Sequence, residues 1–135
     1  MYDGKPLNRM IFLVDDDAAV CHALSVFLET SGYSVRTYHS AKAFLETEEG
    51  ATEGIMLLDQ CMTGMTGLEL QAELTRRGIT LPIIFITGLV DEQIYVEAVK
   101  AGAINFLDKP FSNGYLLESI SEAFSKAENS SCYFA

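Results

Sequence analysis

The chain alternates short apolar runs with longer amphipathic segments five times over, and few folds accept that order. The runs are Met10 to Val14, the half-exposed alternation "YSVRTYHS" (33–40), Ile55 to Leu58, Ile83 to Ile86 and "AINFL" (103–107). The four consecutive apolar residues of Ile55 to Leu58 suit a strand buried on both faces. Between the runs the spacing becomes helical. Val20, Leu24, Phe27 and Leu28 define a helix over roughly 18–31 that stops at Gly32. "AKAFLE" predicts a short second helix, and 67–77 a third, packing through Leu70 and Leu74 and closed by Gly78. A fourth covers roughly 91–101, with Ile94, Ala98 and Ala101 inward and Gly102 as its stop. The last spans roughly 112–127 and carries Leu116, Leu117, Ile120 and Phe124. Five strands alternating with five helices predict an α/β domain, a parallel sheet covered on both faces. With 135 residues and no repeats or internal linkers, one domain is expected.

Charge and composition narrow the function classes. The net charge is −10, nineteen acids against nine Lys and Arg, and only Arg76 and Arg77 among the basic residues are adjacent. Phosphate backbones need clustered positive charge, so this chain is not expected to bind nucleic acid by itself. No apolar run approaches the roughly 18–20 residues of a membrane span. The N-terminal "MYDGKPLNRM" has no apolar segment of signal-peptide type, so a cytoplasmic location is the default expectation. Cys21, Cys61 and Cys132 form no metal-ligand spacing and are read as reduced thiols.

Ligands of open parallel sheets bind outside the carboxyl ends of the strands, which selects the residues directly after each apolar run. After the first run come Asp15, Asp16 and Asp17, and after the third Asp59. Thr87 and Gly88 follow the fourth, and Asp108, Lys109 and Pro110 the fifth. Carboxylates gathered in one cleft repel, and a hard divalent cation such as magnesium (Mg2+) resolves the conflict. Asp17 is read as a cap of the following helix, whereas Asp15, Asp16 and Asp59 are read as metal ligands. Lys109 is either a point charge able to reach an anion or an ordinary loop lysine. Thr87 is either a hydroxyl donor or a β-branched strand terminator. A cation, a lysine and a hydroxyl together suit a phosphoryl group, with Asp59 as the nucleophile that forms an aspartyl phosphate.

With that set in view, the chain resembles the receiver domain of two-component response regulators. The residues carrying the resemblance are "FLVDDD" (12–17), "LLDQCMTGMTG" (57–67), "IIFITG" (83–88) and "AGAINFLDKPF" (101–111), and it covers about residues 9–126. The wording around "SAKAFLE" and "LDKPF" leans towards the FixJ-like subfamily. The resemblance implies a flavodoxin-like, doubly wound domain with five strands in the order 2-1-3-4-5 and five helices. It places a receiver at 9–127, an N-terminal arm at 1–8, and a tail or the start of a linker to an output domain at 128–135. It implies that Asp59 accepts a phosphoryl group from a sensor histidine kinase. Asp16, Asp59 and the backbone carbonyl of Cys61 would bind magnesium, with Asp15 acting largely through water. Thr87 and Lys109 would contact the phosphoryl oxygens, and Phe106 would be the aromatic switch that moves inward as Thr87 turns. The Lys109–Pro110 peptide would be cis. Phosphorylation would promote a homodimer through the face of the fourth and fifth helices, and DNA would be reached only through an output domain. No membrane partner is implied.

Several positions depart from the family pattern. Thr63 stands where proline is usual after the acceptor aspartate, which loosens the fixed φ there, and Gly64 replaces a common acid and adds to that. After Gly88 come Leu89 and Val90 rather than His-Gly. These two apolar residues would shield the phosphoryl group from water or belong to a partner-binding face; the phosphoryl lifetime in Leu89→His separates the two. A constitutive interaction module with a rarely phosphorylated site is one competing reading, which the intact Asp15, Asp16, Asp59, Thr87 and Lys109 oppose. A magnesium-dependent phosphohydrolase is another, but its usual second acid, two residues after the nucleophile, is here Cys61. The chain is therefore not expected to be an enzyme beyond phosphorylating and slowly dephosphorylating itself. His22 and His39 make no catalytic pair, and Met62 and Met65 are read as loop packing.

Overall fold

Among the residues described by the computed structural model, 10–47, 53–88 and 91–133, each apolar run is a strand and each amphipathic segment a helix. The strands are β1 (Met10–Val14), β2 (Ser34–Tyr38), β3 (Ile55–Asp59), β4 (Ile83–Thr87) and β5 (Asn105–Asp108). The helices are α1 (Ala18–Thr30), α2 (Ala41–Thr47), α3 (Gly67–Arg76), α4 (Glu92–Lys100) and α5 (Asn113–Tyr133). All strand pairings are parallel, as the alternation of runs predicts, and the order is β2-β1-β3-β4-β5, as the resemblance implies.

The period-two alternation of strand side chains divides the core into two layers. Phe12, Val14, Met56, Leu58, Ile83 and Phe85 face one layer, where they meet Phe44 of α2, Leu70 and Leu74 of α3 and Ala98 of α4. Ile11, Leu13, Ile55, Leu57, Ile84 and Ile86 face the other, against Leu28 of α1 and Leu116 and Ile120 of α5. This is why the central runs carry no polar residue: both faces are dry. Each such side chain contributes about 1.5–3 kcal/mol of burial. β2 lies at one edge, and only Tyr38 of its five residues is buried.

Local chemistry sets the element ends. The Asp17 carboxylate accepts from the amides of Ala19 and Val20 and caps α1, as expected for that residue. Thr66 and Glu69 form a reciprocal capping box on α3, and Asp91 caps α4. Gly78 ends α3 with φ 74°, the left-handed conformation that glycine adopts without strain.

Three details differ from the sequence expectation. Ala101 is exposed rather than inward, because α4 stops at Lys100 and Ala101 is its C-cap. β5 begins at Asn105, since Ala103 and Ile104 still close the turn onto Ala98 and Ile83. α5 runs from Asn113 to Tyr133, longer than the helix over roughly 112–127 that the spacing predicts. The N-terminal arm at 1–8 lies outside the described residues, as do Leu89 and Val90.

Candidate functional site

Because the strands run parallel, their carboxyl ends share one edge of the sheet, and a cleft of about 440 Å³ opens there. Asp15, Asp16, Asp17, Asp59, Cys61, Gly88 and Lys109 line it. Of the residues singled out at four strand ends, Asp15, Asp16, Asp17, Asp59, Gly88 and Lys109 are thus brought together, with Thr87 buried at the end of β4, whereas Asp108 lines a separate groove and Pro110 neither.

Asp15 continues β1 by one residue and is fully buried. Its amide still donates to the carbonyl of Tyr38 at 3.0 Å, so the ladder with β2 fixes its backbone. Its carboxylate takes the Asp17 amide on Oδ1 at 2.9 Å and Lys109 Nζ on Oδ2 at 2.9 Å. A buried carboxylate needs such partners, and Lys109 also stands 4.0 Å from Asp59 Oδ1. The Lys109 amide donates to the Thr87 carbonyl at 2.7 Å, which ties the turn after β5 to the end of β4. The Lys109–Pro110 peptide is cis, as the resemblance implies.

Asp59 is the last residue of β3 and is 5% exposed. The Cys61 amide donates to its Oδ1 across a long 3.4 Å. Burial first, and the Asp15 charge second, push the Asp59 carboxyl up to about 6, while Lys109 pulls it down. Oxygen atoms of Asp15, Asp16 and Asp59 lie within 4.8 Å of one another. An all-oxygen donor set, rich in negative charge and with one acid disfavoured as the anion, fits a hard divalent cation such as magnesium.

The β3–α3 loop forms one wall. Gln60 is buried, and its Oε1 accepts from the Leu68 amide at 2.8 Å. Its carbonyl accepts from the amides of Met62 and Gly67. Gly67 leaves no room for a side chain, since a Cβ there would stand 2.7 Å from the Asp59 carbonyl oxygen. Met62 is buried in the core and Met65 packs against it, which agrees with their reading as packing residues. Gly64 has φ 82°, so the position suits glycine on backbone grounds. Cys61 is exposed, with Sγ 3.8 Å from Thr87 Oγ1.

Two further contributors escaped the sequence reading. Cys21, on the buried side of α1, donates its thiol to the Asp15 carbonyl at 3.2 Å, and burial holds that thiol up at about 11. Thr63 donates both its amide, at 3.0 Å, and its hydroxyl, at 3.1 Å, to Asp16 Oδ2. Cys21 was detectable from its position one residue after Val20 in the helical pattern; the reach of Thr63 across the cleft had no local signal. His22 and His39 are both exposed.

Phe106, on β5, is half-buried. It stacks on Phe85 at 5.7 Å between ring centres and meets Tyr95 of α4 edge-on at 5.6 Å. A second groove of about 240 Å³, lined by Asp91, Glu92, Tyr95, Phe106 and Asp108, opens beside it.

Comparison with known proteins agrees with this geometry. The sequence profile of the response regulator receiver domain matches residues 11–121. The chain is 42% identical over 113 residues to the transcriptional regulatory protein TdiR of Thauera aromatica, covering 84% of this chain and 50% of TdiR. It is 36% identical over 118 residues to the transcriptional regulatory protein FixJ of Bradyrhizobium diazoefficiens, covering 87% of this chain and 58% of FixJ. The crystal structure of FixJ-N superposes with a TM-score of 0.81 at 36% identity, over 87% of this chain and 94% of that one. The chain spans about half the length of the curated relatives it matches. No helix among the described residues is long and apolar enough to cross a membrane.

Proposed function

The chain belongs to the response regulator receiver family, as a FixJ-like receiver, and we propose that it is a signalling switch thrown by phosphorylation of Asp59. The observation that carries the proposal is the convergence of Asp59 with Asp15 and Asp16, their oxygens within 4.8 Å, and with Lys109 at 4.0 Å. In the proposed step an Asp59 oxygen attacks the phosphorus of a phosphohistidine on a sensor kinase. The O–P bond forms as the N–P bond breaks, and the leaving imidazole nitrogen keeps the electron pair and takes up a proton. Asp15, Asp16, Asp59 and the Cys61 backbone carbonyl would hold magnesium, which when bound neutralises charge on the transferring oxygens.

The chain's own residues do the rest. Lys109 moves its charge from Asp15 towards the new phosphoryl oxygens, a short transfer for a flexible side chain already between the two carboxylates. The Thr87 hydroxyl turns to a phosphoryl oxygen, and Phe106 follows inward from its stack on Phe85 and its edge-on contact with Tyr95. That movement alters the surface of α4, β5 and α5, which we assign to partner binding, including a phosphorylation-dependent homodimer. Output is assigned to transcription through a DNA-binding domain, with residues 9–127 as the receiver unit and the cytoplasm as its place of work. Phosphate-ester turnover is not expected, because the position two residues after Asp59 holds Cys61 rather than an acid.

The test is intact-protein mass spectrometry after incubation with acetyl phosphate, with and without magnesium. A single phosphate adduct that requires magnesium and is absent from Asp59→Asn is the expected result. No adduct in the wild type, with magnesium still bound, overturns the switch and favours a constitutive interaction module.

A further inference from the structure

We propose that Thr63 is a positioning residue for Asp16, a latch that presents this carboxylate to the cation; the inference rests on the magnesium site assigned above. Asp16 is exposed and sits in the turn between β1 and α1, where a short acidic side chain has rotamer freedom. Thr63 lies 47 residues away on the opposite wall of the cleft, yet both of its donors reach Asp16 Oδ2, the amide at 3.0 Å and the hydroxyl at 3.1 Å. Two donors satisfy the two lone pairs of that oxygen. The other oxygen, Oδ1, is then the one with lone pairs available to a cation, and the carboxylate is held within the cluster formed with Asp15 and Asp59.

Donation to Oδ2 also draws electron density from the carboxylate and weakens it as a ligand. The opposing effect is the ordering of an exposed side chain before the cation arrives. An Oδ1 already held at the cleft loses less rotamer freedom when it meets the cation, so positioning outweighs the loss. Neither donor exists on a proline, which has no N–H and no hydroxyl. Thr63 therefore supplies a cross-cleft tie that a proline at this position cannot make.

Magnesium affinity, measured by calorimetry on unphosphorylated protein, tests this with Thr63→Ser, Thr63→Val and Thr63→Pro. Serine keeps both donors and should bind as the wild type does. Valine keeps the shape and the amide but loses the hydroxyl, and should weaken binding about twofold to fivefold. Proline loses both donors, and about tenfold weakening is expected. The Thr63 amide proton provides a second readout by NMR: it should move upfield in Asp16→Asn. Valine and proline variants that bind magnesium as tightly as the wild type, or more tightly, overturn the latch alone. A wild type that binds no magnesium overturns the metal site and the latch together.

Discussion

At the end of β3 a carboxylate only 5% exposed faces the Asp15 charge, and the two effects together hold the Asp59 acid up to about 6. The consequence for stability has a definite sign. Between about pH 4 and pH 6 the native state keeps a proton on Asp59 that the unfolded chain has already lost. Without divalent cations, stability should therefore fall as pH rises through that window and level off above it. Asp59→Asn should remove this slope and, at pH 7 in a chelator, stabilise the fold by on the order of 1–3 kcal/mol. Urea unfolding from pH 4 to pH 8 measures both. A wild-type and Asp59→Asn pair with parallel pH profiles would show that the carboxyl is not held up. The same burial makes the site suited to a cation, which offsets an unfavourable buried charge.

At the level of elements, the junction of β3 and α3 governs where Asp59 stands. The capping box of Thr66 and Glu69 sets the first turn of α3, and buried Gln60 ties the loop to it through Leu68. Gly67 lets that turn press against the strand end. A Cβ there would lie 2.7 Å from the Asp59 carbonyl oxygen and 3.0 Å from Gln60 Cα, both backbone atoms that cannot swing aside. Gly67→Ala should destabilise the fold by about 1–3 kcal/mol and slow phosphorylation of Asp59, because the backbone carrying the acceptor must shift. Denaturant unfolding and the rate of adduct formation check the two effects. A stable variant that phosphorylates at the wild-type rate would show that α3 has slack at this contact.

For the molecule as a whole, the chemistry lies at one end of the sheet and the exposed apolar surface on one side. Tyr95, Val96 and Val99 on α4 and Tyr115 on α5 are four of the five large apolar side chains exposed among the described residues; Val26 on α1 is the other. The acidic net charge opposes self-association of the resting protein, so an apolar contact is needed to overcome it. Phosphorylated protein should dimerise in sedimentation experiments, and Val99→Asp should stay monomeric while accepting the phosphoryl group normally. A dimer unaffected by Val99→Asp would place the interface elsewhere. Much of this architecture follows from residue order. Continuous apolar runs such as Ile55 to Leu58, buried on both faces, leave little choice but a parallel sheet covered by helices. Parallel strands in turn bring Asp15, Asp59, Thr87 and Lys109 to one edge. Features set by the path of a loop or the reach of one side chain were not readable, because hydrophobic periodicity carries no information about either. The thiol of Cys21 on the Asp15 carbonyl, the exposure of Ala101 past the end of α4 and the press of Gly67 on Asp59 are of this kind. So is the tie from Thr63 to Asp16, which joins residues 47 positions apart and exists only once the sheet has brought two loops face to face.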